Sequence, residues 1–370
     1  MPDWTKPMNQ TFEYYVVDPE TWGDTERLTN ITSSSIDRDS EAETRGSGSF
    51  EVTDLVGECY IRTYMVVSQN GKTEKIPLAT LLSQTPKSTF DGMKRDVSVD
   101  AYTPLIELKE KQPPLGYFIP KDANVMDEAY RLTDENLRAP VVKPVNVTKN
   151  SSNFIADPND TWLSYLSDFI SNHVYDNDKD TDKTMVTKYN YDIDEMGQVL
   201  FVPEQDVEAM SPVWTYDDGN SSILHPSISM EHDLYGIPNV VEVVYSKNGL
   251  NYSTRISNDD RNSPISTVTR GREITYRVID PDLAGALTSA TVKKYIDEYA
   301  TQLLKSMSTI EYSISYTHGY CPVRVGDCVM LNYKRAGLTG IKAKVVSQSI
   351  KCEPGCPVTE RAIFTAKLWR

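Results

Sequence analysis

The stretch Val323 to Tyr333, VRVGDCVMLNY, is the most regular short β pattern in the chain. Apolar and β-branched residues stand on both sides of Gly326-Asp327, and a Gly-Asp pair between such runs is typical of a turn. The pattern predicts a strand, a tight turn and a second strand. We therefore expect residues 309–370 to form a small β-barrel domain at the end of the chain.

A similar piece of sequence occurs in an earlier β-rich region. Leu81 to Lys87 reads LLSQTPK and Val345 to Lys351 reads VVSQSIK, so both have two apolar residues, then Ser-Gln, then a lysine three positions on. In both regions a strand pattern and a glycine-containing turn precede this piece. The similarity predicts a second, related β-barrel over residues 46–115. A match of this length also arises by coincidence.

The region between the two β domains mixes helices and hairpins. Apolar residues recur at helical spacing in Val125 to Arg138 and in Asp160 to Val174, and Asp160 or Thr161 is a suitable cap for the second helix. Tyr189 to Pro203 reads as two strands joined through Glu195-Met196-Gly197. Residues 116–235 are therefore predicted to be a mixed helix and β-hairpin domain.

Residues 236–308 are predicted to combine a hairpin with the longest helix. The hairpin turn is Asn248-Gly249, and the helix runs from Ser289 to Met307 with one apolar stripe that includes Tyr295. Residues 1–45 contain a possible strand, Thr11 to Asp18. The polar run Thr32 to Ser49, TSSSIDRDSEAETRGSGS, reads as an exposed loop.

Together these patterns predict an α+β, mainly β protein with several domains, in which two related small β-barrels flank mixed α/β domains. The chain has 370 residues with 39% hydrophobic and 25% charged residues, enough for more than one core. It contains no apolar run long enough to span a membrane, and its first residues lack the pattern of a secretory signal. We expect it to be made and used in the cytoplasm, or to leave the cell by another route.

Charge and cysteine content exclude two further classes of protein. The formal net charge is −15, and no cluster of Lys and Arg of the kind that grips phosphates is present, so we expect no specific nucleic-acid binding. The chain has 5 cysteines, an odd number, which indicates free thiols in a reducing compartment.

Two candidate metal sites are weighed and not adopted. The loop Tyr175 to Thr184, YDNDKDTDKT, spaces carboxylates at alternate positions as a calcium loop does, but Thr181 replaces the turn glycine and Thr187 the bidentate glutamate. Four cysteines in the last β region could supply zinc ligands, but their spacing departs from the close pairs of zinc ribbons. The residues concerned are Asp176, Asp178, Asp180 and Asp182 in the loop, and Cys321, Cys328, Cys352 and Cys356 in the β region; Cys59 stands apart.

No catalytic pattern is present. The histidines are scattered singly at His173, His225, His232 and His318, and a lone histidine is more often structural than catalytic. We therefore predict no catalytic, cofactor-binding or metal-binding residues, no cofactor, and no enzymatic activity. Aromatic faces stack on sugars, and Trp214, in SPVWTYDDG, is the aromatic side chain that we most expect to be exposed, although aromatics at strand spacing more often belong to cores or interfaces.

The order of these elements resembles the baseplate or tail-tip hub family of long-tailed bacteriophages and contractile injection systems. Four stretches carry the resemblance, and they span most of residues 55–370 through their joint order: YIRTYMVVSQNGKTEKIPLATLLSQTP; WLSYLSDFI leading to DIDEMGQVLFVP; PNVVEVVYS followed by ISNDDRNSPISTVTRGREIT; and a long helix before VRVGDCVMLNY.

The resemblance implies a homotrimeric structural protein of the virion. Three copies of two similar barrels would make a ring of six similar units around the DNA channel. One side would meet the hexameric tail tube or distal tail ring, and the other the three-fold tip spike, fibre or tape-measure protein. The expected location is the tail baseplate or tip, after assembly in the host cytoplasm. A negatively charged channel wall would repel DNA, and ordinary solubility explains the same acidity.

Other interpretations remain. No hydrolase extension follows the last strand pattern, so a wall-degrading activity is expected on another polypeptide. Residues 1–45 are outside the matched region, and could be an added strand, an arm on a neighbouring subunit, or mobile. A tail-tip carbohydrate-binding module is the main alternative function, and a tail-associated peptidase or lysin a weaker one.

Overall fold

The computed structural model describes residues 2–54, 57–90, 92–93, 95–178, 183–232, 234–247, 249–281, 288 and 291–369. The fold is α+β and mainly β, which confirms the predicted fold class. The chain divides by its contacts into two compact units, Met1–Ile228 with Ser315–Ala362, and Ser229–Ile314 with Ile363–Arg370. The finer division into five domains stays a prediction. Within the described residues, no helix is long and apolar enough to cross a membrane.

The first part of the chain is built from strands. They are β1 (Asn9–Val17), β2 (Asp24–Leu28), β3 (Ile31–Asp39), β4 (Gly46–Val52), β5 (Tyr60–Gln69), β6 (Lys72–Phe90) and β7 (Arg95–Tyr102). β1 pairs along its whole length with β5, from Asn9 opposite Ser68 to Val17 opposite Tyr60. The N-terminal residues thus contribute an added strand to the sheet.

The middle of the chain contains the helices and hairpins expected there. The elements are α1 (Ile106–Glu110), β8 (Phe118–Ile119), α2 (Val125–Asn136), β9 (Phe154–Ile155), α3 (Trp162–Asn172), β10 (Tyr175–Asp178), β11 (Lys183–Val186), β12 (Tyr189–Ile193), β13 (Val199–Pro203) and β14 (Trp214–Asp217). Thr161 caps α3: its hydroxyl accepts from the Ser164 N–H at 3.1 Å, and the Ser164 hydroxyl accepts from the Thr161 N–H at 3.0 Å. Both predicted helices are confirmed.

The remaining elements complete both units. They are β15 (Leu224–His232), β16 (Val240–Tyr245), β17 (Tyr252–Ser257), α4 (Thr267–Arg270), β18 (Thr275–Ile279), α5 (Val292–Met307), β19 (Thr309–Gly319), β20 (Cys328–Asn332), β21 (Ile341–Lys351) and β22 (Pro357–Lys367). In the smaller unit β16 pairs antiparallel with β17 and parallel with β18. The predicted hairpin is confirmed, although Asn248 of its turn lies outside the described residues.

The predicted long helix corresponds to α5, which packs on the three-stranded sheet of the smaller unit. Its buried residues are Val292, Ile296, Ala300 and Leu304, and they share a core with Val241, Val243 and Tyr245 of β16. Tyr295, placed on the apolar stripe by the sequence, is 41% exposed. A tyrosine at the margin of a stripe can keep its hydroxyl in water.

In the larger unit, strands from both ends of the chain form one continuous sheet. The order from β19 onward is β19-β22-β21-β3-β4-β7-β6-β5-β1-β2, with β20 also paired to β21 and β14 paired in parallel to β20. Leu81–Lys87 lies in β6 and Val345–Lys351 in β21, so both copies of the repeated piece lie in inner strands. The relationship between the two regions as duplicated barrels stays a prediction.

The polar run Thr32 to Ser49 is not an exposed loop, contrary to the sequence analysis. Most of it forms β3 and β4, and β3 pairs with β21 from Ser35 opposite Lys351 to Asp39 opposite Ser347. Ile36 is 1% exposed, and a Cβ on Gly48 would lie 2.5 Å from a Leu81 methyl carbon. The run is a strand pair because its neighbours supply the packing that its own composition lacks.

The stretch Val323 to Tyr333 forms a strand only in its second half. Val323 and Arg324 lie in a loop, whereas Cys328–Asn332 forms β20. The Asp327 carboxylate accepts the Arg324 N–H at 2.8 Å, and the Gly326 N–H donates to the Val345 carbonyl at 2.7 Å. These bonds replace strand pairing for the loop, and Gly326 has a φ of 94°, as a turn requires.

Candidate functional site: a junction within the larger unit

The turn between β12 and β13 is held by residues that are distant in the sequence. We call Asp192–Gly197 the hairpin tip. The sequence predicted this hairpin and its Glu195-Met196-Gly197 turn, and the pairing of Tyr189 with Pro203 through Ile193 with Val199 confirms it. Gly197 has a φ of 80°, which favours glycine.

Side chains from the first part of the chain bind one side of the hairpin tip through its backbone carbonyls. The Met196 carbonyl accepts from Trp22 Nε1 at 2.7 Å and from Arg62 Nη2 at 3.1 Å. The Thr80 hydroxyl donates to the Glu195 carbonyl at 3.3 Å. Arg62 is 1% exposed, and its charge is paired with Asp24 at 2.7 Å. A buried, paired guanidinium with several acceptors fixes the position of each group that it contacts.

Two further arginines hold the other side of the tip. Arg324 Nε lies 2.9 Å from Glu195 Oε1, and its Nη2 donates to the Ile193 carbonyl at 3.1 Å. Arg38 Nη2, from β3, lies 3.4 Å from the same Glu195 oxygen. Burial raises the pKa of Asp192, and the nearby Arg324 opposes that rise. The positive charge of Arg324 therefore offsets part of the burial penalty on the Asp192 carboxylate.

Close packing adds to these polar contacts. A Cβ built on Gly197 would lie 2.8 Å from Thr80 Cβ and 3.0 Å from Trp22 Cζ2. The backbone of the tip thus lies against the early strands with no room for a side chain. Glycine is required here by conformation and by space.

The turn between β3 and β4 makes a second set of long-range contacts. Glu41 pairs with Arg361 of β22, and Glu43 pairs with Lys109 of α1 at 2.7 Å. Arg45 Nη2 donates to Asn190 Oδ1 of β12 at 3.3 Å. We call this turn and the hairpin tip together the junction, because strands from the beginning, middle and end of the chain meet there.

A buried polar network lies among β14, β19, β21 and β22 of the same unit. His318 Nε2 is 3.2 Å from Glu360 Oε1, and both side chains are 0% exposed. The other Glu360 oxygen accepts from the Tyr316 hydroxyl at 2.8 Å and from the Tyr216 hydroxyl at 3.1 Å. Gln348 Nε2 donates to Glu360 Oε1 at 2.6 Å.

The network favours the ionised forms of both partners. Burial opposes the charge on His318, but its contacts with Cys321 and Glu360 raise its pKa to about 10. Burial likewise opposes the charge on Glu360, and the contact with His318 lowers its pKa below the ordinary value. Because the pair is fully buried and its groups are mutually bonded, it suits a structural role within the larger unit better than reaction with a substrate.

The four cysteines weighed as zinc ligands are buried free thiols, and Cys352 and Cys356 share one apolar core. Burial raises the pKa of Cys352 to about 11 and also raises that of Cys356, which disfavours the thiolate that zinc binds. Cys321 lies 3.3 Å from the Tyr216 hydroxyl. Among the described residues, no group of three or more His, Cys, Asp and Glu side chains is placed to hold a metal ion. The side chains of the acidic loop at Asp176, Asp178, Asp180 and Asp182 lie outside the described residues.

The remaining candidates occupy ordinary positions. His173 Nδ1 contacts Asn150 Oδ1 at 3.1 Å beside the Phe154 and Phe169 rings, and burial lowers its pKa. His225 and His232 are exposed, and Trp214 is partly buried on β14. Sequence reasoning missed the junction arginines. The available signal was a charged residue inside an apolar strand pattern, as for Arg62 in YIRTYMVV.

The fold is shared with two solved tail proteins. The tail protein from Neisseria meningitidis MC58 matches with a TM-score of 0.56 and 13% sequence identity, over 96% of this chain and 96% of that chain. The 43 kDa tail protein of prophage MuSo2 from Shewanella oneidensis matches with a TM-score of 0.57 and 10% identity, over 95% and 96%. No protein-family model and no curated protein matches the sequence. The resemblance to phage tail proteins is thus confirmed at the level of the fold.

Proposed function

We propose that this chain is a structural protein of a phage tail or tail-like particle, and that it forms the central hub of the baseplate or tail tip. The observation that carries the proposal is the match to two tail proteins over 95% or more of this chain and 96% of each of theirs. The match extends over nearly the whole chain and is not confined to one domain. The proposed role is assembly and not catalysis.

The proposed assembly is a homotrimeric ring with pseudo-six-fold symmetry. The repeated piece in β6 and β21 supports two related β regions per chain. Three copies would then present six similar surfaces to a hexameric tail tube or distal tail ring, and three-fold features to a tip spike, fibre or tape-measure protein. The junction fits this role, because it connects strands from the beginning, middle and end of the chain, and a stable ring needs its β regions in a fixed arrangement.

The ring would surround the channel through which DNA passes. A net charge of −15 supports passage without binding, because like charges repel the phosphate backbone. The proposed location is the virion tail baseplate or tip, with assembly in the host cytoplasm. No specific nucleic-acid site is part of this proposal.

The test is the mass of the purified protein by light scattering over a range of concentrations, followed by negative-stain class averages. The proposal expects a particle of three times 41.7 kDa with a central hole and a six-fold outline. A monomer at every concentration, with no ring in the images, would contradict the homotrimer. Glycan binding by the monomer would then favour the carbohydrate-binding alternative.

A further inference from the structure

A short extended segment beside α2 presents an unpaired strand edge. We call residues 143–149 the valine edge. It is tied down before its start by the Val142 N–H, which donates to the Val199 carbonyl at 2.9 Å, and near its end by the Val125 N–H, which donates to the Thr148 carbonyl at 2.9 Å. The Asn146 carbonyl also accepts from Asn124 Nδ2 at 3.0 Å. The segment is therefore held extended on the surface.

Alternate residues of the valine edge direct their backbone groups away from the protein. Successive N–H and C=O groups of an extended chain point to opposite sides, and residues 142, 146 and 148 make the inward bonds. Val145 and Val147 therefore face outward, and their backbone groups bond to no other described residue. Their side chains are 98% and 86% exposed. Exposed valines on an unpaired edge are unusual unless a partner strand covers them.

A second free edge lies at the end of the large sheet. β2 is the last strand of the sheet order and pairs, within the described part of the chain, with β1 alone. Residues Asp24 to Arg27 are exposed. The Asp24 carboxylate is bound by Arg62, and Arg27 pairs with Glu13 at 3.1 Å, which leaves the Glu26 charge directed to solvent.

The two edges have complementary charges. The valine edge carries Lys143 and Lys149, of which Lys143 is paired with Asp127 at 2.9 Å. Lys149 is exposed. Opposite charges facing each other across paired strands are stabilising, and like charges are destabilising. A basic edge and an acidic edge on one chain favour head-to-tail association of two copies, because each copy offers both halves of the contact.

We propose that the β2 edge of one copy pairs with the valine edge of a second copy. The inference rests on the proposed function for the existence of an assembly, and goes beyond it by naming the two segments in contact. Backbone pairing supplies the bonds that Val145 and Val147 lack, and Lys149 faces the acidic β2 edge. The contact is heterologous, as a closed ring of identical subunits with cyclic symmetry requires.

The first experiment is amide hydrogen exchange, measured below and above the protein concentration at which light scattering shows that copies of the chain associate. The expected result is slower exchange in assembled protein at both residues 145–147 and residues 24–28. Assembly without protection at these two segments would overturn the inference and leave the proposed function standing. A monomer at all concentrations would overturn both.

Charge variants supply the second experiment. We expect Lys149→Glu to weaken assembly about tenfold, as does Glu26→Lys, and the double variant to restore it, because the reversed pair is again attractive. Lys334→Glu is the matched control, since it makes the same charge change at an exposed position after β20, outside both edges. Equal weakening by the control, or no rescue in the double variant, would contradict a direct contact between the two edges.

Discussion

His318 and Glu360 form an ion pair that is 0% exposed, and its contribution to stability depends on both partners being charged. Removing water from two charges is unfavourable, and the hydrogen bonds from Tyr216, Tyr316 and Gln348 to Glu360 offset much of that penalty. Breaking such a pair leaves one buried charge without its partner. Single substitutions at this site are therefore expected to be severe.

We predict that His318→Gln lowers the free energy of unfolding by about 3–5 kcal/mol near pH 6, and by less as the pH rises. The folded pKa of His318, about 10, lies above its ordinary value of 6.5. Its stabilising effect is then fully present below pH 6.5 and is lost as the pH rises through about 10. Denaturant unfolding of both proteins at pH 6 and at pH 9.5 measures this. A difference independent of pH would show that His318 is not charged in the folded state.

The contribution of Glu360 to stability is expected to depend on pH in the opposite direction, so that it is lost towards acid. Its folded pKa lies below the ordinary value of 4.5, so its stabilising effect is present above that pH and is lost as the pH falls further. Denaturant unfolding of the wild-type protein, continued below pH 4.5, should show this loss in the free energy of unfolding.

Gly197 supports a second prediction for a single residue. Gly197→Ala adds a Cβ at a φ of 80° and within 2.8 Å of Thr80 Cβ, whereas Gly71→Ala makes the same change at a φ of 75° with nothing within 4 Å. We expect a loss of about 1 kcal/mol for Gly71→Ala from backbone strain alone. The loss for Gly197→Ala should exceed it by about 1–3 kcal/mol through overpacking. Equal losses by thermal unfolding would mean that the tip is not closely packed.

Among the elements, the β12–β13 hairpin contacts segments from both the beginning and the end of the chain. On one side the Met196 carbonyl of the tip accepts hydrogen bonds from the Trp22 and Arg62 side chains. On the other side Glu195 forms ion pairs with Arg324 and Arg38. If the contacts on the two sides are energetically coupled, a substitution on either side should change the hydrogen-exchange rates of the backbone amides in the hairpin tip.

We predict that Glu195 and Arg324 are energetically coupled. In a double-mutant cycle with Glu195→Gln and Arg324→Met, the coupling energy should be about 1–3 kcal/mol, because the pair is partly buried and lies 2.9 Å apart. The exposed pair of Arg131 and Glu135 on α2, cycled in the same way, should give about 0.5 kcal/mol or less. Denaturant unfolding gives both values. Similar coupling in the two cycles would argue that the junction contributes no more than a surface ion pair.

For the whole molecule, the acidic character leads to a prediction about DNA. With a net charge of −15, the protein should not bind labelled duplex DNA in fluorescence anisotropy, even at low salt where electrostatic binding is strongest. A lysine-rich protein of similar size is the positive control. Binding that weakens as salt is added would reveal a basic surface and contradict a channel through which DNA passes freely.

Local sequence patterns were sufficient to predict the elements in which those patterns are strong. α2, α3 and α5 have apolar residues at helical spacing, and the hairpins have glycine turns between apolar strands, so propensity and nearby packing agree. The same patterns, taken in order, were enough to indicate a tail-protein fold. They did not require knowledge of any contact between distant residues.

Contacts between segments that are distant in the sequence set the remaining features of the fold. The run Thr32 to Ser49 is polar and becomes β3 and β4 because β21 and β7 pair with it, and those strands are distant in the chain. Val323 and Arg324 look like a strand and are a loop, because Arg324 is directed to Glu195. His318 looked solitary until β22 brought Glu360 beside it. Local pattern reports neighbours along the chain, whereas these outcomes depend on which segments meet when the chain folds.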